Sequence, residues 1–234
     1  MNMAEKNDNI TDMEEARSVK KAKKRPPPKP KGPPLFNIPP ATKWLAVIMM
    51  AVFFVQEVSM SVTGKASFFQ TFGFVPRNLT DFVPSLWPSL FSPITYMFIH
   101  GSLVHIFMNV TMLLAFGSGL EKWLGRGKFL ALFFGSGLIA ILIHYILNNF
   151  SAEIVIGASG ATSGLFAAGI IMLRNMGTGI GSGPYGIYPL IALFIVVTVI
   201  FGFTGSLDSS AIAWQAHLGG FAGGLLFMKL FKKL

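Results

Sequence analysis

The chain has 234 residues, is 52% hydrophobic and only 12% charged, and contains no cysteine. That balance excludes an ordinary soluble domain and a disordered chain, and it removes disulfides, thiolate nucleophiles and Cys-based metal sites together. The formal net charge of +9 rests on few residues, so their placement is informative, and the expected class is an all-α, polytopic membrane protein.

Residues 1–40 read as a disordered, basic, Pro-rich cytoplasmic tail, and 41–234 as the membrane domain. The tail lacks the apolar core of a secretory signal, and Glu5, Asp8, Asp12, Glu14 and Glu15 make it too acidic for a mitochondrial transit peptide. Its cluster Lys20, Lys21, Lys23, Lys24 and Arg25 suits anionic lipid headgroups. The acidic residues nearby and the membrane tether argue against nucleic acid as a partner. From Pro26 to Pro40 the prolines favour extended polyproline II.

A membrane-crossing helix needs roughly 20 mostly apolar residues. Six stretches qualify, near 44 to 62, 97 to 117, 128 to 148, 157 to 174, 186 to 204 and 214 to 231. The connection from Thr63 to Thr95 is long and aromatic, carrying Phe68, Phe69, Phe72, Phe74, Phe82, Trp87 and Phe91 among Pro76, Pro84, Pro88 and Pro93. Prolines at that spacing forbid one continuous helix, and aromatic density suits the headgroup layer, so an interfacial first outer loop is expected. With the N-terminus inside, seventeen of the nineteen Lys and Arg lie on the inner side, leaving Lys65 and Arg77 outside. The positive-inside rule then puts both termini in the cytoplasm.

Under this topology the fourth span enters from outside at Gly157 and the sixth at Trp214, so Ser159 and His217 lie at matching depth, a few ångströms below the outer interface. Polar groups inside a span are expensive and read as functional by default. Serine becomes a nucleophile when a base takes its proton, and imidazole is suited to that near neutral pH. No Asp or Glu falls within spans two, four, five or six as drawn, so a Ser159–His217 dyad is the economical proposal, with Glu153 and Asp208 in outer loops as candidates for an orienting carboxylate. An acyl-transfer site also needs donors for the developing oxyanion. His105 and Asn109, four apart on one face of span two, and the N-terminus of span four offer them.

Each feature has a packing explanation as well. Gly160 with Gly164, and Gly220 with Gly224, are GxxxG pairs of the kind that bring membrane helices together, and a serine in such a run commonly hydrogen-bonds within the bundle. His144, beside Tyr145 near the end of span three, reads as interfacial and without a role. His100 and His105, five apart, do not share a helical face, no HExxH is present, and no metal or other cofactor is expected.

Taken together, Gly157-Ala158-Ser159-Gly160, Ala216-His217 with Gly220 and Gly224, and His105 with Asn109 resemble the rhomboid family of intramembrane serine proteases. Gly119-Leu120-Glu121-Lys122 and Leu124-Gly125 after span two are similar to the family too, and the resemblance runs from about residue 44 to 231. It implies a six-helix bundle in which Ser159 is the nucleophile and His217 the general base and then acid. Asn109, His105 and the Ser159 amide would form the oxyanion hole, with His100, Gly157, Gly160, Gly164, Gly220 and Gly224 structural. The implied substrates are single-span membrane proteins entering between spans two and five, and the compact form looks like bacterial members of the cytoplasmic membrane. The chain departs from the pattern at Ser163, where the family often has an aromatic packing on the imidazole, and at Phe91-Ser92, where Trp-Arg is common. The alternatives are an inactive rhomboid-like protein that binds membrane segments, whose usual mark is loss of the serine or histidine, and a small transporter, which the sparse intramembrane charge disfavours.

Overall fold

The computed structural model describes residues 37–80, 86–180, 182–204 and 213–232. The expectations for the tail, and for Asp208, lie outside the described residues. Among the described residues the chain is helical, with a single isolated antiparallel bridge between Phe74 and Val155.

Helix α1, Pro40–Thr63, has 24 residues and so spans about 36 Å at 1.5 Å per residue. Three short helices follow in the first connection: α2 (Lys65–Phe72), α3 (Pro76–Thr80) and α4 (Leu86–Thr95), with a 3-10 turn at Tyr96–Phe98. Helix α5 (Leu103–Met112) passes through a π-turn at Leu113–Gly117 into α6 (Ser118–Leu124). Helix α7 is Arg126–Asn148, α8 Ser159–Asn175, α9 Tyr188–Thr204 and α10 Trp214–Leu230. Pro40–Thr63, Leu103–Leu124 and Arg126–Asn148 are long and apolar enough to cross a membrane, with mean hydropathies of 2.0, 1.7 and 2.2. The protein is an integral membrane protein.

The second span begins six residues later than the hydropathy reading placed it. Ser102 sets the start, its hydroxyl oxygen accepting the backbone N–H of His105 at 3.1 Å, a standard N-cap. The helix then runs on through Glu121 and Lys122 to Leu124, which corrects the expectation that this span holds no carboxylate. Glu121 is buried and serves the start of α1: the N–H groups of Ala41 and Thr42 donate to it at 3.0 and 2.7 Å, and the Thr42 hydroxyl at 2.9 Å. A carboxylate at a helix N-terminus satisfies donors that the helix leaves open, at roughly 1.5–3 kcal/mol per charge-assisted bond before its desolvation cost. This clamp lies at the end of the bundle remote from Ser159, since neighbouring Gly119 packs on Met172, near the C-terminus of α8.

The tightest packing joins α7, α8 and α10. A Cβ at Gly220 would lie 1.9 Å from the Gly160 carbonyl oxygen, and one at Gly224 2.3 Å from that of Gly164. Helices α8 and α10 therefore run parallel with their backbones in contact, one turn repeating the last. Helix α7 crosses them in the opposite sense, its Ala140 against Gly160 and its Ser136 against Gly164. His144, one turn on from Ala140 in α7, is buried, and neither of its ring nitrogens has a hydrogen-bond partner among the described residues.

Candidate active site

Ser159 is the first residue of α8 and half-buried. The segment leading to it is braced from the first connection: Phe74 and Val155 exchange backbone hydrogen bonds of 2.9 and 2.8 Å, and the Gly157 N–H donates to the Tyr96 carbonyl at 2.8 Å. Gly157 then turns the chain with φ at +105°, in the region L side chains rarely adopt, and a Cβ there would sit 2.5 Å from His105 Nε2. Both constraints require glycine. No side chain caps α8, so the positive end of its dipole and the N–H groups of its first turn face the space around Ser159.

His217 is the fourth residue of α10 and also half-buried. It follows Ala216, whose carbonyl oxygen lies 3.6 Å from the Cβ position of Gly160, and it precedes Gly220 by three residues. The backbone contact between the two helices is thus flanked on one strand of the junction by Ser159 and on the other by His217. The carbonyl-to-glycine contacts bring the turns that carry the two residues together.

The oxyanion candidates come from the first turns of α5. The Gly101 N–H points at His105 Nδ1, 3.4 Å away. An acceptor Nδ1 leaves the proton of a neutral ring on Nε2, the nitrogen that faces Gly157. One turn on, the buried Asn109 donates through Nδ2 to the His105 carbonyl at 3.0 Å.

His100 is not helical and precedes the Ser102 cap, so its spacing from His105 follows loop geometry: the two rings meet edge to face with centroids 5.0 Å apart. Its backbone is held by Gln56 of α1, whose Oε1 accepts the His100 N–H at 3.1 Å while its Nε2 donates to the His100 carbonyl. Sequence reading passed over Gln56, a buried amide in the first span. No group of three or more His, Cys, Asp or Glu able to hold a metal occurs among the described residues. Glu153 is exposed, its backbone N–H bonded to Ser151 Oγ at 3.0 Å. Ser163 is buried within α8.

Residues 88–233 match the Rhomboid domain family. The chain is 30% identical to the putative rhomboid protease YdcA of Bacillus subtilis over 140 residues, 60% of this chain and 65% of that protein. It is 25% identical to the rhomboid protease GluP of the same organism over 195 residues, 80% of this chain and 34% of the other. With the rhomboid protease AarA of Providencia stuartii the identity is 30% over 148 residues, 53% of this chain and 50% of that protein. The aligned chain thus spans less than two thirds of each relative's length.

Proposed function

The chain belongs to the rhomboid family, and from that premise we propose that it is an intramembrane serine endopeptidase cutting single-span membrane proteins in or near the bilayer. Ser159 Oγ attacks the scissile carbonyl carbon while His217 takes the hydroxyl proton. The carbonyl oxygen gains the charge and accepts hydrogen bonds from the Ser159 N–H, Asn109 Nδ2 and His105 Nε2. As the intermediate collapses the C–N bond breaks and His217 gives its proton to the leaving amine. A water, deprotonated by His217, then hydrolyses the acyl-enzyme and restores Ser159.

The observation that carries this reading is the backbone contact at Gly160 and Gly220, because it brings the turn bearing Ser159 beside the turn bearing His217, next to an uncapped helix N-terminus. The lopsided Lys and Arg distribution supports a site facing the outer side of a bacterial cytoplasmic membrane, with both termini inside.

Cleavage of a fluorogenic single-span substrate in detergent tests the reaction, with labelling by a fluorophosphonate probe alongside. Wild type should cut and label; Ser159→Ala should do neither, and His217→Ala should lose cleavage by about 10³-fold or more. A Ser159→Ala protein that cuts like wild type would falsify the mechanism.

A further inference from the structure

Thr162 lies one turn below Ser159 on the same helix, buried, and its hydroxyl has two acceptors in reach. They are the Ser159 carbonyl oxygen at 3.2 Å and Asn109 Oδ1 at 3.4 Å. The first is the ordinary back-bond of a threonine in a helix and assigns nothing by itself. The second crosses to α5 and reaches the side chain that would donate to the oxyanion.

A hydroxyl carries one proton and an amide has a distinct end of each kind. Asn109 Nδ2 already gives one N–H to the His105 carbonyl at 3.0 Å. When the single Thr162 proton points to Oδ1, in competition with the nearer Ser159 carbonyl, the amide is engaged at both ends and its second N–H is turned away from both partners. Turned over, the amide would set Oδ1 against the His105 carbonyl, acceptor facing acceptor. As the second N–H donates to a developing oxyanion, the amide polarises and Oδ1 becomes the better acceptor, so the Thr162 bond strengthens with the charge.

We infer that Thr162 is a positioning residue, orienting the Asn109 amide toward the oxyanion and coupling it to the helix that carries the nucleophile. This rests on the serine-protease reading above.

Thr162→Val keeps the branched shape and removes the hydroxyl, and Thr162→Ser keeps the hydroxyl. The valine variant should lose roughly five- to twenty-fold in kcat with KM unchanged. Its affinity for a peptide aldehyde, whose adduct places an oxygen at the oxyanion position, should fall in parallel. Thr162→Ser should recover most of the rate, and Thr162→Val added to Asn109→Ala should cost nothing further. Should the valine variant not fold, Thr162→Ala also lacks the hydroxyl and takes its place. A valine variant within two-fold of wild type overturns the inference, as does a loss confined to KM, a serine variant as slow as the valine one, or full additivity with Asn109→Ala. Ser159→Ala run alongside separates the two claims. If it cuts like wild type, the protease reading falls; if it is silent while Thr162→Val is unimpaired, only the role of Thr162 falls.

Discussion

Helices α8 and α9 have 17 residues each, yet they are held by different means. Helix α8 meets α10 backbone to backbone, at glycines where even a methyl group has no room. Helix α9 meets the same pair through side chains: Phe194 stacks on Phe221 with centroids 4.5 Å apart and on Phe166 at 5.3 Å. Ile187, Leu190 and Ile191 join that cluster, while Leu193, Ile195, Val196, Val197 and Ile200 are exposed. In a membrane no hydrophobic force drives helices together, so close packing must do it. Glycine contacts fix a separation, and aromatic contacts hold a helix while leaving it room to adjust. The proposed chemistry sits on the first kind of contact.

Substitutions of graded size test this contrast. The largest effect is expected from Gly220→Ala, whose Cβ would fall 1.9 Å from the Gly160 carbonyl oxygen. Forcing these backbones apart should cost about 3 kcal/mol or more and abolish cleavage, as read by denaturation in detergent and by the substrate assay. A Gly220→Ala protein as stable and active as wild type would remove the basis of the contrast. Phe194→Ala should lower stability by only about 1–2 kcal/mol, the worth of its ring contacts; a loss matching that of Gly220→Ala would mean that α9 is equally integral. The smallest effect is expected at Gly127 in α7, where an added Cβ meets nothing within 4 Å. Gly127→Ala should raise stability by at most about 1 kcal/mol, and a measurable loss would show that glycine matters in these helices for reasons other than close approach.

The glycine junction was legible in the sequence because four-residue spacing of small residues has one common use in a membrane helix. Its third side, Ser136 and Ala140 of α7 packed on Gly164 and Gly160, has the same four-residue spacing of small residues but no glycine at either place, and so drew no notice. The aromatic cluster of Phe116, Phe166, Phe194 and Phe221 was equally hidden, since a phenylalanine that packs and one that meets lipid contribute the same hydropathy. The start of the second span was misplaced because apolar Tyr96–Ile99 reads as helix until the Ser102 cap is seen to begin it. Hydropathy also ended that span before Glu121, as a carboxylate looks like an exit from the bilayer when its three donors from α1 are unknown. His144 was judged by its place near a helix end, which does not tell how far its surroundings cover it. The first connection is divided into short helices, yet Pro93 falls inside the ten-residue α4, which local sequence did not foretell. Thr162 and Gln56 escaped notice because each acts through a partner 53 and 44 positions away, respectively.

The contact between Gly160 and Gly220 also bears on how this gene can vary. Every single-base missense change in a glycine codon installs a side chain, and the shortest of them, alanine, already collides at position 220. Codon 220 therefore has no near-neutral missense neighbours through which drift can pass. A lineage refining this protein would have to do so elsewhere, on the exposed residues of α9 or in the first connection, while the contact between α8 and α10 is inherited whole or lost.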